Sequence, residues 1–235
     1  IVNWPDGSKE ELKDLTANKS YTLKNTNASK VSKDLKVKRV FKETKNLLSP
    51  SFKHIENDFD DYEKQVLMPH KMSQLGPCLT KEDLNRDGKE DFFVGGASGQ
   101  AGAIYIQNSQ GQFLKTTSLD LDKKFEDTGA LFFDIDNDDD LDLYVVSGGN
   151  EFEAGDENYM DRVYLNDGNG SFLRSKVTLP RASGSVVKAA DYDKDGDLDL
   201  FVGGKHVPWK YPKSADSYLL ENNDGKLTIK QNFKA

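Results

Sequence analysis

The stretch DYDKDGDLD, Asp191 to Asp199, sets five aspartates on alternate positions and runs straight into the strand-like LFV. Carboxylates that close repel one another, so the arrangement calls for something positive among them. The pattern occurs three times. DLNRDGKED begins at Asp83, DIDNDDDLD begins at Asp134, and the separations between copies are 51 and 57 residues. Numbered from its first aspartate, copy one offers Asp83, Asn85, Asp87 and Asp91 at positions 1, 3, 5 and 9. Copy two offers Asp134, Asp136, Asp138 and Asp142, and copy three Asp191, Asp193, Asp195 and Asp199. Position 7 is Lys89, Asp140 or Asp197, a change of chemical type expected where only a backbone carbonyl is used.

Several hard oxygen donors around a tight turn form the ligand set of Ca²⁺, held at ~2.3–2.6 Å. Glycine at position 6 (Gly88, Gly196) permits the positive φ that wraps the chain round an ion. Copy two has Asp139 there, and aspartate tolerates that conformation better than most residues. An EF-hand would need a bidentate acid at position 12 and flanking helices. Position 12 is Val94, Val145 or Val202, which excludes it. Mg²⁺ is disfavoured because an all-protein cage suits a larger, more flexible ion. Solvated aspartate turns without metal are the bland alternative, and three copies in register weigh against it. The three windows hold 4, 6 and 5 of the chain's 40 acidic residues, so three ions would take the formal charge from -8 to -2. Copy one, with Asn85 in place of a carboxylate, is expected to bind most weakly.

The elements that position these loops repeat with them. A short apolar run precedes each loop, and DFFV, LDLYVV or LDLFV follows it. Then comes a hairpin with an Asn/Asp/Gly turn: IYIQNSQGQF, VYLNDGNGSF or YLLENNDGKL. Four short strands per repeat predict an all-β chain of β-propeller blades, over about 76–128, 129–184 and 185–235. A closed propeller typically needs four to eight blades, so the three are expected to belong to a larger propeller.

These units closely resemble FG-GAP/VCBS repeats of integrin-like β-propellers, whose D-x-D-x-D-G-x-x-D loop joins the first two strands of a blade. Near the start, VNWPDGSKEELKDLTANKSYTL resembles the end of an ASPIC/UnbV domain, which would occupy 1–27, with linker and lead-in strands over 28–75. That order is similar to large proteins of Bacteroidetes-type bacteria, secreted or held on the outer surface as lipoproteins. The resemblance implies up to three structural Ca²⁺ ions and no particular reaction. Asp139 in place of the loop glycine, and two extra residues before the Gly-Gly of copy two, depart from the pattern.

Composition narrows the function classes. A net charge of -8 argues against nucleic acid, which needs a basic face. No window approaches the roughly 18 apolar residues of a membrane helix. The single cysteine, Cys78, excludes an internal disulfide and a thiolate zinc cluster, and reads as a buried structural thiol. The chain opens on Ile1 and reads as a fragment or a processed form.

The lysine-rich stretch 24–50 reads as an interdomain linker, and 51–77, denser in aromatic residues, as a packed lead-in or strand. His54, His70 and His206 are the only histidines, read as structural or exposed. Trp209, Tyr211, Pro208 and Pro212 lie in one loop and could form a partner surface or pack on a neighbouring blade. The loop 148–162 is the longest between strands. The leading reading is a non-catalytic, calcium-stabilised binding or assembly module of a bacterial surface protein, contacting a protein partner in an outer-membrane complex or a glycan. A carbohydrate-active lyase or hydrolase on a propeller scaffold is one alternative and a structural spacer another. The enzyme would need a cleft of acids, histidine or arginine that are not metal ligands.

Overall fold

A computed structural model describes residues 1–26, 28 and 43–234, so most of the lysine-rich stretch lies outside the described residues. The chain divides into two compact units, Ile1–Thr44 and Lys45–Ala235. In the first, β1 (Val2–Asn3) pairs antiparallel with β2 (Lys9–Glu10) around a turn in which Gly7 has φ of 81°.

The second unit holds three blade sheets. β3 (Leu48–Ser49) comes first, followed by the one-turn helix α1 (Asp61–Lys64), capped by the Asp60 carboxylate. The first blade is β4 (Leu79–Glu82), β5 (Asp91–Val94), β6 (Ala103–Gln107) and β7 (Phe113–Ser118). The second is β8 (Asp127–Phe133), β9 (Asp142–Ser147), β10 (Arg162–Asn166) and β11 (Phe172–Arg174). The third is β12 (Gly184–Ala190), β13 (Asp199–Gly204), β14 (Ser217–Glu221) and β15 (Thr228–Phe233). Each is an antiparallel meander in chain order, the all-β blade architecture that the repeats predict. β3 adds a parallel edge strand to the first sheet, pairing Leu48 with Phe113. Among the described residues no helix is long and apolar enough to cross a membrane.

Burial explains the stacking. One apolar layer joins Phe93 and Ile104 of the first sheet to Phe132, Leu143, Val145 and Tyr164 of the second. Another joins Tyr144, Val146 and Val163 of the second to Val187, Leu200, Val202 and Leu220 of the third. The residue two beyond position 9 thus faces the next blade each time: Phe93 and Tyr144 are 0% exposed. Among the described residues no blade covers its counterpart Phe201, which is 42% exposed beside exposed Val186 and Phe233. On the first sheet's outer side Leu48 and Phe52 pack against Val94 and Tyr105, and the Tyr105 hydroxyl donates to the Pro50 carbonyl at 2.7 Å.

Candidate metal centre

Each aspartate loop joins the first two strands of its blade, and its backbone is set by two left-handed residues. At position 6 these are Gly88, Asp139 and Gly196, with φ of 81°, 68° and 104°. At position 4 they are Arg86, Asn137 and Lys194, with φ of 59°, 58° and 67°. Such values are uncommon outside glycine and curl the loop so that its odd-numbered side chains turn inward. In all three copies the position 5 carboxylate accepts the position 7 N–H at 3.0 Å: Asp87 from Lys89, Asp138 from Asp140, Asp195 from Asp197.

The convergence is tightest in copies two and three. Carboxylate oxygens of Asp134, Asp136 and Asp138 lie within 4.8 Å of one another, as do those of Asp191, Asp193 and Asp195. In copy two Oδ1 of Asp134, Asp136 and Asp140 are enclosed and, among the described residues, have no hydrogen-bond partner. Burial, then the charges of Asp138 and Asp134, raises the Asp136 carboxyl. Burial and Asp138 push Asp140 up to about 6. Enclosed, mutually repelling oxygens without donors fit a hard cation. In copy one the Asp83 carboxylate accepts from Asp87 and Gly88 N–H groups, Asn85 Oδ1 accepts the Asp87 N–H at 3.2 Å, and Lys89 Nζ sits 2.7 Å from Asp87. The lysine holds the Asp87 carboxyl below its usual range.

Positions 7 and 9 have further partners. Asp197 accepts from Asn137 Nδ2 and from the Asp224 N–H, both at 2.7 Å, so its side chain faces neighbouring turns. The position 9 carboxylates brace the blade. Asp91 accepts the Leu84 and Gln107 N–H groups at 2.9 and 2.7 Å. Asp142 accepts those of Ile135 and Asn166 at 3.1 and 2.8 Å, and Asp199 those of Tyr192 and Asn222 at 2.9 Å each. Each thus ties the loop entrance to the end of the third strand.

The other singled-out residues divide between support and surface. Cys78 is half-buried, and burial pushes its thiol up to about 12. His70 is exposed. His54 Nε2 lies 2.8 Å from Glu56. His206 is 4% exposed, and burial followed by the charge of Lys205 lowers it to about 4. Trp209 donates through Nε1 to the Asn150 carbonyl at 3.0 Å, a packing role, while Tyr211 stays exposed.

Sequence reasoning missed Asn150, in the long loop 148–162. It is fully buried, donates to Asp61 Oδ1 at 2.7 Å, and accepts from the Trp209 N–H at 3.2 Å. It missed the acids Glu126, Asp127 and Glu151 at the opposite ends of the same sheets. The one available signal was their charge beside apolar strand residues.

The FG-GAP-like repeat family matches residues 83–145 and 148–202, half of the chain. Each matched span runs from one blade into the second strand of the next, ending on the position 12 valine. No curated protein matches the chain.

Proposed function

The chain belongs to the FG-GAP-like repeat family, and from that premise we propose that it is a calcium-stabilised β-propeller module for binding and assembly, with no chemistry of its own. The observation that carries the calcium reading is the pair of aspartate triads in repeat register, with enclosed, unpartnered oxygens in copy two. Asp134, Asp136 and Asp138 would hold one ion, aided by the Asp140 carbonyl and Asp142. Asp191, Asp193 and Asp195, with the Asp197 carbonyl and Asp199, would hold another. Asp83, Asn85 and Asp87, with the Lys89 carbonyl and Asp91, would form the weakest site. A bound ion supplies charge neutralisation and a tie between the first two strands of its blade.

The exposed face around Phe201 supports an assembly role, because equivalent positions on the other two blades are covered by the next blade. A further blade of a larger propeller, or a protein or glycan partner, would cover it. By resemblance, residues 1–27 are the end of an ASPIC/UnbV domain, and the whole protein is secreted or held on the outer surface of a Bacteroidetes-type bacterium. Thermal melting in Ca²⁺ and in EDTA tests the calcium reading. Ions bound only to the native state raise the midpoint by several degrees, and a D136N/D193N variant loses most of that rise. A midpoint indifferent to Ca²⁺ would overturn it.

A further inference from the structure

In the first two aspartate loops the residue at position 4, flanked by ligand positions 3 and 5, has its partner on the next blade. Nη2 of Arg86 donates to the Asp139 carbonyl, at position 6 of loop two. Nδ2 of Asn137 donates to Oδ1 of Asp197, at position 7 of loop three, 2.7 Å away. The hairpin turn of the third blade touches both of these later loops. A Cβ on Gly225 would stand 3.0 Å from Cβ of Asp136 in loop two, and the Asp224 N–H donates to Oδ2 of Asp197 at 2.7 Å. Both oxygens of Asp197 are thus engaged outside loop three, and its carbonyl is left as that position's donor to an ion.

The Asn137 contact depends on how loop two is curled. Its φ of 58° is a left-handed conformation that is unfavourable for most side chains. The same curl brings carboxylate oxygens of Asp134, Asp136 and Asp138 within 4.8 Å of one another. Their mutual repulsion favours opening the loop, and a cation among them favours keeping it closed. Opening would carry the Asn137 amide off Asp197 and free that carboxylate to turn towards the other acids of loop three. Loop two therefore has two arrangements, and only the closed one holds loop three in order. An element of this kind couples the two sites, and the coupling acts equally in both directions.

We infer that Asn137 is a positioning residue that couples cation binding in loop two to cation binding in loop three, and that Arg86 plays the same part between loops one and two. The inference rests on the calcium reading and deepens it, because the loops then fill cooperatively instead of one by one. The sign is positive, since closing one loop pre-orders the turn at positions 6 and 7 of the next. Repulsion between two bound ions works against it, but exposed charges more than ~8 Å apart are largely screened at physiological salt.

The test follows the Gly196 N–H, at position 6 of loop three, in proton–nitrogen NMR correlation spectra while CaCl₂ is titrated into the EDTA-stripped whole chain at physiological salt. N137G keeps every ligand, permits the same positive φ and removes the amide. Its Gly196 midpoint is expected about fivefold or more above the parent's, within the usual range of coupling between sites. D136N, which weakens loop two itself, is expected to raise the Gly196 midpoint likewise, and N137G added to D136N to raise it little further. Two independent structural losses would add instead, and additive shifts would overturn the inference. If N137G does not fold, the D136N shift carries the test. A Gly196 resonance indifferent to Ca²⁺ in the parent would overturn the calcium reading and this inference with it. One that responds at the same midpoint in the parent and in whichever variants fold would overturn this inference alone.

Discussion

Asn166, at the end of the second blade's third strand, donates through Nδ2 to the carbonyl of Leu84 in the first blade's loop, 2.9 Å away. Asn222 does the same one blade on, reaching the Ile135 carbonyl at 2.8 Å. Each asparagine also gives its own backbone N–H to the position 9 aspartate of its blade. Loop, strand end and neighbouring loop are therefore linked by one relay that crosses both blade interfaces. Because Asn166 is buried, N166A strands the Leu84 carbonyl and removes the Oδ1 acceptor for Gly170 N–H. Loss of buried partners costs about 1–3 kcal/mol. Urea denaturation should show N166A that much less stable with its m-value unchanged.

The position 9 and position 3 aspartates should respond oppositely to metal removal. Asp142 uses both oxygens on backbone donors, and an asparagine there keeps only one acceptor. D142N is therefore expected to lose about 1–3 kcal/mol even in EDTA. Asp136 has an unpartnered Oδ1 and is pushed on by Asp134 and Asp138. D136N should be neutral or mildly stabilising in EDTA and destabilising only in Ca²⁺. Melting both variants in both buffers separates an aspartate that braces the blade as well as serving the ion from one that serves the ion alone; equal behaviour of the two would refute the distinction.

What the sequence made legible was whatever repeats. Twelve strands, three loops and the positive φ at position 6 follow from three copies of one pattern. The relay was harder to see, because Gln107 stands in copy one where Asn166 and Asn222 stand later, and its backbone N–H alone is used. The position 4 backbone was hidden because two of its three residues, Arg86 and Lys194, are long basic side chains that do not signal a positive φ. The buried acids were illegible for a different reason. Asn150 meets Asp61 across 89 residues, and no local spacing marks such a pair.

Asp127 and Arg162 form an ion pair at 2.6 Å, each 3% exposed. The second oxygen of Asp127 accepts the Gly96 N–H of the first blade at 2.8 Å, and the guanidinium lies 4.2 Å from the Phe125 ring. Removing one partner leaves a buried charge alone, a loss of about 3–5 kcal/mol. R162M should show that loss in chemical denaturation, and the neutral pair R162M/D127N should regain part of it. A double variant no better than R162M would place the cost in lost packing over Phe125 instead.

Asp161 predicts a pH dependence independent of any metal. Its carboxylate accepts from the Tyr144 hydroxyl at 2.7 Å and the Ser147 N–H at 2.8 Å. Burial nonetheless raises it from 3.8 to about 7. Above about 7 both folded and unfolded chains carry the charge, and the folded chain bears the full cost of burying it. As pH falls below about 7 the folded chain takes up the proton first, so this group's contribution to stability grows until 3.8, where the unfolded chain is protonated too. The D161N variant, melted in EDTA beside the parent, should lose that part of the slope, so the difference between the two curves changes between pH 7 and pH 4 and is flat above about 8. A constant difference across that range would mean that Asp161 stays ionised in the fold, held by its two donors and by the neighbouring Arg162.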